Sequence, residues 1–135
     1  MTEFGQEAGK LVLRVAVGGL LLFHGISKIM HGVAWMHGPL SAYHLPFFIA
    51  YGVYVGEVVA PVLVILGVWT RAAGLVISFD ILMAFVLVSH VRFFTLSMAG
   101  GWALEPDAFF FLTGLAIFFL GAGKLSLAGT KGKWN

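Results

Sequence analysis

Three observations predict an all-α polytopic membrane protein, an antiparallel bundle of four transmembrane helices. Four apolar runs, residues 11–30, 46–69, 72–91 and 107–124, fill most of the 135-residue chain. Each approaches the roughly 20 residues a helix needs to cross the hydrocarbon core. Hydrophobic residues make up 60% of the chain and charged residues 10%, with a mean hydropathy of +0.99. Soluble domains carry about 25% charged residues, so this chain has too little polar surface to cover itself in water. The cations are also sorted. Lys10, Arg14, Arg71, Lys124, Lys131 and Lys133 fall on one side of such a bundle, and Lys28 and Arg92 on the other. That bias places both termini in the cytoplasm.

Residues 1–135 read as one membrane domain with no soluble catalytic module, and nothing in them suggests a nucleic-acid partner. There is no cysteine, which excludes disulfides, thiolate metal sites and CxxC redox exchange.

Met1 to Gly9 reads as a short polar leader, an interfacial turn before the first span. That span follows cations, as a signal peptide would. It is too long for such a segment, however, and His24, Lys28 and His31 interrupt the cleavage region, so it is a retained span. The connection from His31 to Leu45, with Trp35 and Tyr43, suits the headgroup layer. Pro46 opens the second span, where a missing N–H costs no helical hydrogen bond. Thr70 and Arg71 make a tight hairpin to the third span, so the two are antiparallel neighbours. A second interfacial connection carries Phe93, Phe94 and Trp102. Glu105-Pro106-Asp107 then starts the fourth span with acids at a helix N-terminus. Gly114 and Gly121 mark its packing seam, and the basic tail beyond Gly123 is expected to fray.

The informative residues are the titratable ones inside the runs. In the first span Arg14, Gly18, Leu21, Gly25 and Lys28 share one helical stripe, with His24 at its margin. Arg14 is placed to snorkel to the inner headgroups. Glu57 lies too deep in its span for so short a side chain to reach water. Pro61, four residues on, lacks the amide that would bond the Glu57 carbonyl, so one turn offers a kink, a free carbonyl and a carboxyl group. His24, Lys28, Glu57, Tyr54 and His90 are therefore the candidate ligand-binding residues. Asp80 is placed in the inner half of the third span, to form structural ion pairs with Arg71 or Arg14. His31, His37 and His44 match no compact ligand spacing, and no metal is expected.

The run LRVAVGGLLLFHGISKI, an acid in the middle of the second span, GVWTRAAGL and LEPDAFFFLTGLAIFFLGAGKLSL together resemble the DoxX family of small bacterial membrane proteins. The match runs through nearly the whole chain in order. Its most specific pieces are Phe23-His24-Gly25 with Lys28, Gly67 to Arg71, and Gly121 to Leu127. The family's closing motif continues into an acid where this chain has Ala128, and Asp80 is a local feature. The resemblance implies a bacterial inner-membrane protein associated with quinol or thiosulfate:quinone oxidoreductase systems. His24, Lys28, Glu57 and Arg71 match its recurring polar positions.

Three functions fit. The first is a redox-associated subunit that binds a quinone or other lipophilic ligand near Glu57, His24 and Lys28, where proton-exchanging groups serve a reduction that takes up protons. The second is a non-catalytic scaffold that assembles a larger complex. The third is a small-solute transporter, for which four short spans enclose little room. The chain carries no haem or flavin motif, though His24 and His90 are candidate axial ligands. It is not expected to be a complete enzyme alone, and a protein partner or homo-oligomer is expected in the bilayer.

Overall fold

A computed structural model describes residues 2–135 as an all-helical chain, with no strand among them. The elements are α1 (Glu3–His31), α2 (His37–Ala42), α3 (Phe47–Leu66), α4 (Thr70–Leu87) and α5 (Glu105–Leu120). Three of them, α1, α3 and α4, are long and apolar enough to cross a membrane. The fourth expected span is shorter than its expected range, 107–124. Its 16-residue helix stops at Gly121, whose φ of 74° turns the chain away.

The expected polar leader is instead part of α1. The Thr2 side chain accepts a hydrogen bond from Gly5 N–H at 3.3 Å, and this cap starts the helix at Glu3. Lys28 and His31 occupy its last turn, and Gly32, at φ 75°, ends it. The buried residues of α1 are Arg14, Val17, Gly18, Leu21 and Gly25, the stripe that helical periodicity picks out.

Helix α3 is irregular for a reason the sequence contains. A 3₁₀ segment, Phe47–Tyr51, leads through Gly52–Tyr54 into a π turn over Val55–Val59, and regular α-helix resumes at Ala60. Pro61 cannot donate to the Glu57 carbonyl, and the ladder widens ahead of it, with Ala60 N–H bonding Val55. The helix closes at Gly67, at φ 74°, before the expected end at Trp69. Trp69 itself takes a left-handed conformation to begin α4. The third span's helix likewise ends at Leu87, four residues before Val91, and the chain continues as a single 3₁₀ turn, Ser89–Arg92.

Glycines set the helix spacings. A Cβ at Gly18 would stand 2.8 Å from the Pro61 carbonyl, and one at Gly25 would overlap the Glu57 carbonyl, so α1 lies directly on the backbone of α3. Helix α4 meets α5 where Gly74 faces the Gly114 carbonyl and Ser78 Oγ donates to Phe111 O at 2.9 Å. Gly114 is thus a packing residue as expected, whereas Gly121 is a helix stop. Leu21, Val64, Ile77 and Ile117 form the centre of the core. A second cluster, with Val33, Leu40 and Val53, holds the connection containing α2 against α3 and α4. Only 28%, 39% and 39% of the residues in the three spanning windows are buried. The remaining apolar faces, which include Leu20, Phe23 and Phe79, are left for lipid.

The tail does not fray. Arg14, fully buried rather than snorkelling, donates to Ala122 O at 2.7 Å and Leu125 O at 2.8 Å. Leu127 N–H bonds Leu66 O at 3.0 Å. Thr70 Oγ1 donates to Asn135 Oδ1 at 3.0 Å, and Arg71 to the carbonyls of Phe118, Phe119 and Asn135. Lys124 contacts Glu3, which raises the lysine's pKa above its usual value, chiefly through their hydrogen bond.

Candidate functional site

The deep charges gather where α1 crosses the π turn of α3. Gly25 brings the helices together, and one turn later Lys28 reaches the carboxyl group of Glu57. Its ammonium donates to Glu57 Oε1 at 2.6 Å and also to Oε2. The Glu57 side chain is 6% exposed and that of Lys28 20%, so the surrounding protein shields most of the pair from solvent. A cation shared between both carboxylate oxygens offsets much of the cost of placing either charge at this depth. Tyr54, one turn before Glu57, donates its hydroxyl to the Lys28 carbonyl at 3.1 Å and so ties α3 to the end of α1.

Asp80 joins this pair from α4. Its carboxyl group packs against Gly56, in the space a side chain there would fill. It therefore stands at the depth of Glu57, not in the inner half of the bundle. The expected pairing with Arg71 or Arg14 is not formed, because both arginines direct their donors to carbonyl oxygens of α5 and the tail. Asp80 Oδ2 is sequestered and has no hydrogen-bond partner.

Beside these groups lies a cavity of about 460 Å³, lined by Lys28, Glu57 and Asp80 and otherwise by apolar side chains such as Trp35, Met36 and Met83. Its size is that of a small-molecule site, as is its character of an apolar wall with a few convergent polar groups. Two carboxyl groups face one ammonium, so charge neutrality calls for one exchangeable proton or one further cation.

The other expected site residues lie outside the cavity. His24 is exposed and sets its ring edge against Phe110, with centroids 5.7 Å apart. Tyr54 lines a separate hollow with Ile29 and Val58. His90 is exposed on the 3₁₀ turn after α4. His31 contacts the Ser27 carbonyl at 2.9 Å, and His37 stacks on Phe47. Among the described residues no three His, Cys, Asp or Glu side chains converge as a metal centre would require. The residues that sequence reasoning did not assign to the site are Asp80 and Gly56. The available signal was a glycine beside Glu57, in a helix that must accept a neighbour's carboxyl group.

Comparison with known proteins bears on these features. The DoxX family model matches residues 9–90, which include Lys28, Glu57 and Asp80. A Bacillus subtilis protein named "Putative oxidoreductase CatD" is 34% identical over 84 residues, covering 61% of this chain and 60% of that protein. A Haemophilus influenzae protein described as uncharacterized is 31% identical over 120 residues, covering 85% of this chain and 84% of that one. No solved structure matches at a significant level.

Proposed function

Because the chain belongs to the DoxX family, we propose that it is the membrane subunit of a redox system and binds a quinone or other lipophilic ligand beside Lys28 and Glu57. The observation that carries this reading is the buried Lys28–Glu57 pair at the edge of an apolar cavity. Quinone reduction takes up protons, and titratable groups next to an apolar pocket are what it needs. The name of the Bacillus subtilis relative points to the same chemistry. With no cysteine and no haem or flavin motif in the chain, electrons come from a partner protein. We place the protein in the bacterial inner membrane as a single domain, with α5 as its fourth, short span. At 1.5 Å per residue α5 is about 24 Å long, a mismatch that a thinner local bilayer accommodates. Lys10, Lys124 and Arg71 gather where α1, α5 and the tail meet, which supports an inner location for that end.

Glu57→Gln is the direct test, because it keeps the shape and one of the two acceptors for Lys28 and removes the titratable proton. Respiratory growth, or turnover of the partner complex, should be lost while the protein still folds and inserts. A second reading is a non-catalytic scaffold. It is favoured by Arg14 and Arg71, whose guanidinium groups donate to the carbonyls of α5 and the tail and so pack α1 and α4 against them. Full activity of a well-folded Glu57→Gln protein would select it.

A further inference from the structure

At the other end of the bundle the tail folds over the last turn of α5 and leaves a hollow of about 560 Å³. Lys10 and Lys28 stand about 27 Å apart along α1 at 1.5 Å per residue, so this hollow and the Lys28–Glu57 cavity are independent of each other. Three cations line it, Lys10 from α1, Arg71 from α4 and Lys133 from the tail, and among the described residues no carboxylate side chain does. Gly121 and Gly123 bend the chain beside it, at φ 74° and 76°. A Cβ on Gly121 would stand 3.0 Å from Arg71 Nη2, and one on Gly123 2.9 Å from Lys10 Cδ, so the two glycines let both cations lie against this turn. The fold uses Arg71 only in part. Its Nε donates to Asn135 O at 3.0 Å and its Nη1 to Phe118 O and Phe119 O, whereas Nη2 has no acceptor among the described residues. Lys10 pairs with Glu7 at 2.8 Å, and the other oxygen of that carboxylate accepts from Lys124 N–H. Lys133 is exposed and makes no ion pair among the described residues. Excess positive charge is therefore left in the hollow. Phe118, Leu120 and Trp134 give it an apolar wall, which the exposed Phe119 and Leu120 continue toward the lipid. We propose that this hollow binds the headgroup of an anionic phospholipid, with its phosphate between Lys10, Arg71 and Lys133 and its chains along α5. A basic pocket at the membrane boundary supplies the charge, and the apolar wall selects a phosphate that carries acyl chains.

The test is calorimetry on the purified full-length protein in an uncharged detergent. Short-chain phosphatidylglycerol is titrated beside phosphatidylcholine of the same chains and beside inorganic phosphate. Phosphatidylglycerol should saturate at one per protein and bind about tenfold more tightly than phosphatidylcholine, a ratio that added salt lowers. Lys10→Gln combined with Lys133→Gln should erase the ratio. Lys131→Gln, which removes a neighbouring charge outside the hollow, should keep it. Equal binding of the two lipids, or an unchanged ratio in the double variant, would overturn the site. So would an equal loss in Lys131→Gln, because the attraction would then be diffuse. Inorganic phosphate that binds as tightly as phosphatidylglycerol and displaces it would overturn the lipid assignment in favour of a soluble anion. The comparison of ligands on the unaltered protein stands even if the double variant fails to fold.

Discussion

Replacing Lys28 by Met would remove the only donor to the Glu57 carboxylate among the described residues. Breaking a buried ion pair from one side costs about 3–5 kcal/mol, and because the Lys28 ammonium keeps some exposure we expect the low end, about 3 kcal/mol. Glu57→Met should cost less, about 1 kcal/mol, since the lysine can lift its ammonium toward the headgroups. Asp80 also stays nearby to attract it. The double variant replaces the pair whole with side chains of similar length, and it should lie within about 1 kcal/mol of the wild type. The cycle then gives a coupling of about 3–5 kcal/mol between the two positions. Unfolding of all four proteins in one mild detergent, followed by circular dichroism against added sodium dodecyl sulfate, measures it. If the two single effects simply add, the pair is not a coupled unit and the reasoning about its burial is wrong.

Three further outcomes follow from the packing. Gly25→Ala places a Cβ on the Glu57 carbonyl and should destabilise the protein by about 2 kcal/mol, read in the same unfolding assay. Arg14→Met removes the donors that hold Ala122 and Leu125, so trypsin should cut at Lys124 and Lys131 at least several-fold faster than in the wild type, with the helices still intact. In intact cells, a cysteine placed at Ser41 should react with an impermeant outer-face reagent, and one placed at Gly9 or Thr130 should be shielded. The opposite labelling would invert the topology.

The sequence makes the all-helical class legible because long apolar runs have few other solutions, and it marks Lys28 and Glu57 because charges inside apolar runs are costly unless they meet a partner. Periodicity also picks out the buried stripe of α1, and Pro61 marks the irregular turn of α3. Span ends are less legible. Gly67 and Gly121 stop their helices by adopting positive φ, whereas hydropathy continues past both. Asp80 is misplaced for a different reason. Counting residues from a helix end gives its height on its own helix, not how far that helix is shifted against α3. The site it joins is fixed by Gly56, which carries no chemical signal of its own. Arg14 resembles an ordinary snorkelling residue because its partners are backbone carbonyls more than 100 residues away, and carbonyls leave no mark on a sequence. The same contacts explain why a polar, basic tail is ordered.

The central claim is that the cavity between Lys28, Glu57 and Asp80 holds a redox-active lipophile. Its most direct measurement is mass spectrometry of the lipids that purify with the protein in mild detergent, set beside an Ala84→Phe variant in which a larger side chain fills the cavity. We expect the unaltered protein to retain a quinone-class lipid in near-equal amount to the protein, and the filled variant to lose it while folding normally. Equal quinone content in both proteins, or none in either, would contradict the account.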